Sequence, residues 1–165
     1  MLDSEQLLAR LEASEINYAI EQHARIYNMA ESDQLVLSLP GMRCKNLLLR
    51  DRKGRHYLAV TTPQKSVELA ALSTMLGCGR LSLAPPERLF ELLGVTPGSL
   101  SPLALINDQC QGVRLVVDRE CEGAGVFLFH PMDNGASVQI SLEMLQRFLD
   151  GTGHSLEWTE IHARS

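Results

Sequence analysis

Apolar residues recur along this chain with two periods. Near the start, Leu7, Leu8, Leu11 and Ile16 return at helical spacing behind Ser4, which can N-cap a helix. Residues 18–21 alternate like a short strand ending at His23, and a second helical stretch over 28–35 leads to a stop at Pro40-Gly41. The clearest pattern follows: 46–50 and 57–61 are apolar strands flanking Asp51-Arg-Lys-Gly-Arg55, a glycine-containing turn, and together they predict a hairpin. Downstream, 67–76 reads as an amphipathic helix closed by Gly77, and 80–84 as a short strand. Pro85-Pro86 opens a helix that runs to Leu93 and ends at Gly94. Residues 96–102 are loop by their Pro and Gly content. Residues 113–118, 126–130 and 136–140 read as an antiparallel meander, Ser141 can cap a last long helix, and 156–161 forms a final strand.

Hairpins and helices mix here without regular βαβ alternation. That predicts an α+β fold: a mixed, mostly antiparallel, curled and barrel-like sheet surrounded by helices. No repeat, low-complexity tract or Pro/Ser-rich linker divides the chain, so residues 1–165 read as one domain.

Composition narrows the class. At 45% apolar and 21% charged residues the chain is neither disordered nor fibrous. No apolar run approaches the ~18 residues of a membrane span, and Met1-Leu-Asp-Ser-Glu5 lacks the basic and apolar segments of a signal peptide, so a cytoplasmic protein is expected. Cys44, Cys78, Cys110 and Cys121 form no CxxC pair, and the histidines show no HxxxH or HExxH spacing, so these thiols read as small hydrophobes and no metal is expected. No GxGxxG or GxxxxGK[ST] follows a strand, which argues against a doubly wound nucleotide fold.

The cations are uneven. Six of the 15 fall between Arg43 and Arg55 with Asp51 as the one acid, a local excess of +5 inside a chain of net charge −5. Such a cluster suits an anion or phosphate contact, and equally a solvated turn with snorkelling arginines. Lys45 differs from its neighbours. It follows a Pro-Gly turn and precedes three leucines, half in low dielectric yet available to a substrate anion or carbonyl. His130 ends the apolar run Val126-Phe-Leu-Phe129, with Pro131 next and Asn134 beyond; it can hold a substrate polar group in a cavity or anchor a turn. Residues 98–102, Gly-Ser-Leu-Ser-Pro, can present backbone N–H groups to a developing oxyanion or form a plain turn. No Ser-His-Asp order, Cys-His pair or paired carboxylates stand out, and eight aromatics provide no stacking platform for a long single strand.

These residues coincide with a family pattern. Pro40-Gly41, Lys45-Asn-Leu-Leu-Leu-Arg-Asp51, Gly79-Arg-Leu-Ser82, Leu93-Gly-Val-Thr-Pro-Gly-Ser99 with Pro102, Leu105-Ile-Asn-Asp108, and His130-Pro131 with Asn134 resemble the YbaK/ProX-type aminoacyl-tRNA deacylases, in the same order and with compatible spacing from about His23 onward. Within the family the chain is most similar to the free-standing prolyl-tRNA editing proteins that clear alanyl-tRNA(Pro).

The resemblance implies a barrel-like domain with a small pocket, no metal and no nucleotide cofactor. It implies that Lys45 is the essential lysine, Asn46 and His130 are pocket residues, and Gly98, Ser99, Leu100, Ser101 and Pro102 form the backbone loop of GxxxP form, with Asn134 nearby and pocket walls around Tyr27 and Met29. Leu48 stands where the family often has Phe, and Leu100-Ser101 where it often has Val-Thr. The implied activity is trans-editing, hydrolysis of Ala-tRNA(Pro) to alanine and tRNA(Pro). The implied partners are the 3′ acceptor end of misacylated tRNA and prolyl-tRNA synthetase. The rival readings are a deacylase for Ser, Thr or Cys on tRNA, a non-catalytic tRNA- or synthetase-associated module, and an interaction domain with no RNA role.

Overall fold

The computed structural model describes residues 1–25 and 37–165; the expected helix over 28–35, with Tyr27 and Met29, lies outside the described residues. Helix α1 (Ser4–Ala13) starts one residue earlier in its cap than the sequence suggests. Asp3, not Ser4, is the N-cap: its carboxylate accepts from the Gln6 amide while the Gln6 side chain accepts from the Asp3 amide, a reciprocal capping box.

Nine strands follow the chain order β1 (Ala19–Gln22), β2 (Met42–Arg43), β3 (Lys45–Arg50), β4 (His56–Thr61), β5 (Ser82–Leu83), β6 (Val113–Asp118), β7 (Val126–Phe129), β8 (Ala136–Ser141) and β9 (Leu156–Thr159). The remaining helices are α2 (Leu69–Leu76), α3 (Pro86–Leu93) and α4 (Leu142–Thr152). As expected, Gly77 and Gly94 end α2 and α3 in the left-handed conformation, and the Ser141 hydroxyl caps α4 by accepting from the Met144 amide.

The predicted hairpin is present in register, Lys45 opposite Thr61 and Arg50 opposite His56. Asp51 builds its turn: the carboxylate accepts from the Lys53 and Arg55 amides, the Arg55 guanidinium and the Tyr57 hydroxyl. Burial alone would raise the Asp51 carboxyl, but these hydrogen bonds outweigh it and hold the group at about 2.

Two expectations are corrected. The strands form two open mixed sheets rather than one barrel-like surface: β1-β8-β7-β2, and β5-β3-β4-β6-β9. The meander is also split. Strand β6 inserts between β4 and β9, parallel to both, whereas β7 and β8 pair antiparallel in the other sheet. The α+β class stands, with parallel and antiparallel pairs in both sheets.

The reason is burial on both faces of the five-stranded sheet. Leu48, Leu58, Val60, Leu115 and Val117 face the core shared with Phe127, Phe129, Val138 and Ile140 of the other sheet and with α1, α3 and α4. The alternate residues Leu49, Tyr57, Ala59 and Val116 bury a second cluster with Leu72 of α2, Leu81 and Ile161. A strand apolar on both faces suits a central position in a covered sheet, and β6 is one. No helix among the described residues is long and apolar enough to cross a membrane.

Candidate active site

The site grows from the ends of two parallel strands. Strands β2 and β7 pair in parallel with Arg43 opposite Leu128, so Lys45 and His130 each lie two residues further along their own chains. From there β2 crosses into the second sheet as β3, and Pro131 stops β7. The Pro40-Gly41 turn that precedes β2 packs onto the same sheet: the Gln139 side chain donates to the Pro40 carbonyl, and a Cβ at Gly41 would sit 3.0 Å from Leu128. With φ at 150° as well, this position suits glycine.

His130 is held rather than solvated. Its Nδ1 lies 2.8 Å from the Ala136 carbonyl, which can only accept, so Nδ1 carries the proton and Nε2 is left with a lone pair. Burial pushes the imidazole below its usual value, and the neighbouring His23 adds to the effect. The His23 ring stands edge-on to it at 5.9 Å, donating from Nδ1 to the Ala24 carbonyl and accepting at Nε2 from the Ser137 hydroxyl.

The GxxxP loop is tied to this strand end. The Ser101 hydroxyl donates to the His130 carbonyl at 2.8 Å and accepts from the Leu103 amide. Within the loop, a short 3-10 turn (Pro97–Ser99) uses the Ser99 amide on the Thr96 carbonyl and the Leu100 amide on the Pro97 carbonyl. Leu100, Ser101 and Pro102 are buried, with Leu100 in the shared core, so these three serve as the loop's footing. Gly98 and Ser99 instead line an open cleft of ≈720 Å³ together with Asn134, Met132 and Arg25. Arg25 bridges its rim to Asp133 at 2.6 Å and to the Asn134 side-chain oxygen at 3.2 Å.

Lys45 and Asn46 begin β3 and face opposite ways, because successive side chains alternate across a strand. The Lys45 ammonium donates to the Lys65 carbonyl at 2.5 Å, and no carboxylate among the described residues lies within ion-pair distance of it. Asn46 faces the side that carries Leu48 and the shared core. Its side-chain oxygen is buried with no hydrogen-bond partner among the described residues. The structure thus brings His130, Ser101, Gly98, Ser99 and Asn134 together around one strand end and loop. Of these, Gly98, Ser99 and Asn134 line the cleft; His130 and Ser101 stand behind it, and Lys45 and Asn46, at the neighbouring strand start, do not line it either.

Sequence reasoning missed the groups behind Lys45. Lys65 donates to Asp118 at 2.6 Å, Glu120 at 2.9 Å and the Ile161 carbonyl at 2.8 Å, and Thr61 donates to the same Asp118 oxygen at 2.5 Å. The available signal was sparse: Lys65 is one of three lysines, and Asp118 closes an apolar strand. Beside them, the Cys44 thiol donates to the Met42 carbonyl, and the neighbouring Cys121 thiol together with burial pushes it up. No group of three or more metal-ligating side chains occurs among the described residues.

The α+β fold, with Lys45 at a strand start, a half-buried His130 and the GxxxP loop hooked to it by Ser101, is that of an aminoacyl-tRNA editing domain. The sequence profile of the aminoacyl-tRNA editing domain matches residues 23–148, and the chain belongs to that family. It is 33% identical over 162 residues to the prolyl-tRNA editing protein ProX of Acetoanaerobium sticklandii, covering 97% of this chain and 99% of that one. It is 35% identical over 153 residues to prolyl-tRNA synthetase associated domain-containing protein 1 of Danio rerio, covering 92% and 82%. The fold matches the crystal structure of a candidate trans-editing enzyme for prolyl-tRNA synthetase with a TM-score of 0.68 at 20% identity, over 97% of this chain and 98% of that one.

Proposed function

We propose that this protein is an aminoacyl-tRNA deacylase that hydrolyses the ester of mischarged tRNA(Pro), with alanine as the amino acid removed. The observation that carries the reading is the match along nearly the whole chain to a prolyl-tRNA editing protein, in a chain that keeps Lys45, His130 and the Gly98–Pro102 loop.

The need for such an activity follows from binding energetics. A synthetase pocket shaped for proline rejects the smaller alanine by only ~1–3 kcal/mol, and a second, smaller site that excludes proline by size can cut the alanyl ester. The chemistry asks little of the protein. Water adds to the ester carbonyl, the C–O bond to the terminal ribose breaks, and the ribose hydroxyl leaves with a proton while alanine is released as the carboxylate. The vicinal ribose hydroxyl assists, so positioning and charge stabilisation suffice.

In this reading Lys45 is the catalytic residue, directing its charge at the terminal adenosine or the ester carbonyl. Backbone donors around the Gly98 to Pro102 loop polarise that carbonyl. The lone pair of His130 Nε2 accepts from the α-ammonium group of the amino acid, and Asn46 offers its unpartnered oxygen to the same end. Asn134 and Ser99 line the approach. Met29 belongs to the same proposed pocket by resemblance alone. The 3′ acceptor end of misacylated tRNA is the partner bound, and prolyl-tRNA synthetase is the enzyme whose errors are cleared.

Deacylation of Ala-tRNA(Pro), Ala-tRNA(Ala), Ser-tRNA(Pro), Cys-tRNA(Pro) and Pro-tRNA(Pro), measured side by side, tests the reading. Ala-tRNA(Pro) is expected to turn over fastest and Pro-tRNA(Pro) to persist. Faster loss of the seryl or cysteinyl ester would reassign the substrate, and equal half-lives with and without protein would refute catalysis.

A further inference from the structure

The Lys45 ammonium has an unusual partner for a group placed to stabilise negative charge: a neutral carbonyl instead of a carboxylate. A carbonyl fixes direction without neutralising charge, and it uses one of the three ammonium hydrogens. Two remain for a substrate. What fixes this carbonyl is the side chain of its own residue. Lys65 sits in the turn after β4, its amide bonded to the Thr62 carbonyl, and all three of its ammonium hydrogens are taken by Asp118, Glu120 and the Ile161 carbonyl. The Lys65 side chain is 8% exposed and the Asp118 side chain 2%, so the pair is screened little by solvent.

Asp118 is the hub. One oxygen accepts from both Lys65 and Thr61, and the other accepts from the Glu120 amide. Thr61 is the direct cross-strand partner of Lys45. The arrangement therefore braces Lys45 twice, through the carbonyl it donates to and through the residue opposite it. It also places the Lys65 charge against Asp118, so the nearest buried carboxylate of this network is already paired and does not draw Lys45 away.

We infer that Asp118 and Lys65 are positioning residues for editing: their buried ion pair anchors the Lys65 carbonyl that aims the Lys45 ammonium at the ester. The inference rests on Lys45 being the catalytic lysine.

The test uses single-turnover hydrolysis of Ala-tRNA(Pro) by excess protein, alongside the affinity for uncharged tRNA(Pro), in Asp118→Asn, Lys65→Met and Lys65→Arg. Asp118→Asn and Lys65→Met are each expected to lower the chemical rate by about 10- to 100-fold, the scale of a small misplacement of a reacting group, with tRNA affinity held within about twofold. Lys65→Arg, which keeps a cation against Asp118, recovers part of the rate. In a Lys45→Ala background, Asp118→Asn is expected to add less than about a twofold further loss, because the two act as a unit. Parental rates in Asp118→Asn and Lys65→Met, or an undiminished loss on top of Lys45→Ala, overturn the inference while leaving Lys45 as assigned. A parental rate in Lys45→Ala itself overturns the assignment of the lysine, and the inference with it. If Asp118→Asn or Lys65→Met loses its cooperative melting transition, Lys65→Gln, which removes the charge from the pair but keeps a hydrogen-bond donor, takes its place with the same outcomes.

Discussion

The hydroxyl of Ser101 donates to the backbone carbonyl of His130 across 2.8 Å, joining the GxxxP loop to the end of strand β7. The same oxygen accepts from the Leu103 amide as the N-cap of the 3-10 helix Pro102–Asn107. Ser101 is fully buried, so Ser101→Ala leaves a carbonyl and an amide without partners. A loss of about 1–3 kcal/mol in stability is expected, measured by chemical denaturation. Editing should fall further than stability accounts for at 25 °C, since loop and histidine lose their common anchor. Ser101→Thr, which keeps the hydroxyl, should restore most of it.

Lys45→Ala is expected to cost about 10²–10³-fold in deacylation of Ala-tRNA(Pro), the scale seen when one charge-stabilising group is removed. Lys45→Arg should not restore the rate. A guanidinium spreads its charge over a planar fork and cannot place a compact point charge from the same Lys65 carbonyl. Single-turnover kinetics of the two variants decide the matter, and a fully active Lys45→Arg protein would contradict it.

Asn46 gives the opposite pattern of stability and activity. Its buried oxygen has no partner among the described residues, so Asn46→Val, which suits a strand and removes the orphaned acceptor, should stabilise the fold by about 1–2 kcal/mol. Deacylation should nevertheless drop. Denaturant melts and kinetics on one preparation test both halves.

For His130 the direction with pH is set by burial. Its folded-state value lies below the ordinary 6.5, so below pH 6.5 the unfolded chain takes up a proton that the folded chain resists. The stabilising contribution is whole above 6.5 and is lost as pH falls from there toward the folded value. The acid limb of kcat/KM should accordingly fall below 6.5, and His130→Gln should remove that limb while lowering the rate. A limb at or above 6.5 would count against a neutral imidazole in the site.

Asp51 behaves in the reverse sense to His130. Its carboxyl is held at about 2 against the usual 3.8, so it stabilises the hairpin fully above the unfolded value and less as pH falls through 3.8 toward 2. Asp51→Asn should lower Tm at pH 7, and the difference from the parent should shrink near pH 2. Thermal melts at the two pH values provide the check.

Local order was readable where local chemistry decides it. The Asp51 to Arg55 turn, the glycine stops at Gly77 and Gly94 and the Ser141 cap all follow from short-range hydrogen bonds and left-handed backbone conformations. The α1 cap was misplaced by one residue because aspartate and serine are near-equal caps, and only the Gln6 side chain decides between them. The split of the expected meander had no local signature. Residues 113–118 are apolar on both faces, and nothing nearby in sequence says that β4 and β9 flank them.

The site divides along the same line. By itself the sequence nominated the residues proposed to bear the chemistry, because a lysine before three leucines, a histidine closing an apolar run and a proline-ended glycine loop are local patterns that also match a family. Only the tertiary structure decided how they are held: Ser101 on His130 across 29 positions, Lys45 on Lys65 across 20, and Lys65 on Asp118 across 53. The physical reason is that a hydrogen bond or buried ion pair between distant segments depends on how two sheets pack, which no stretch of a few residues encodes.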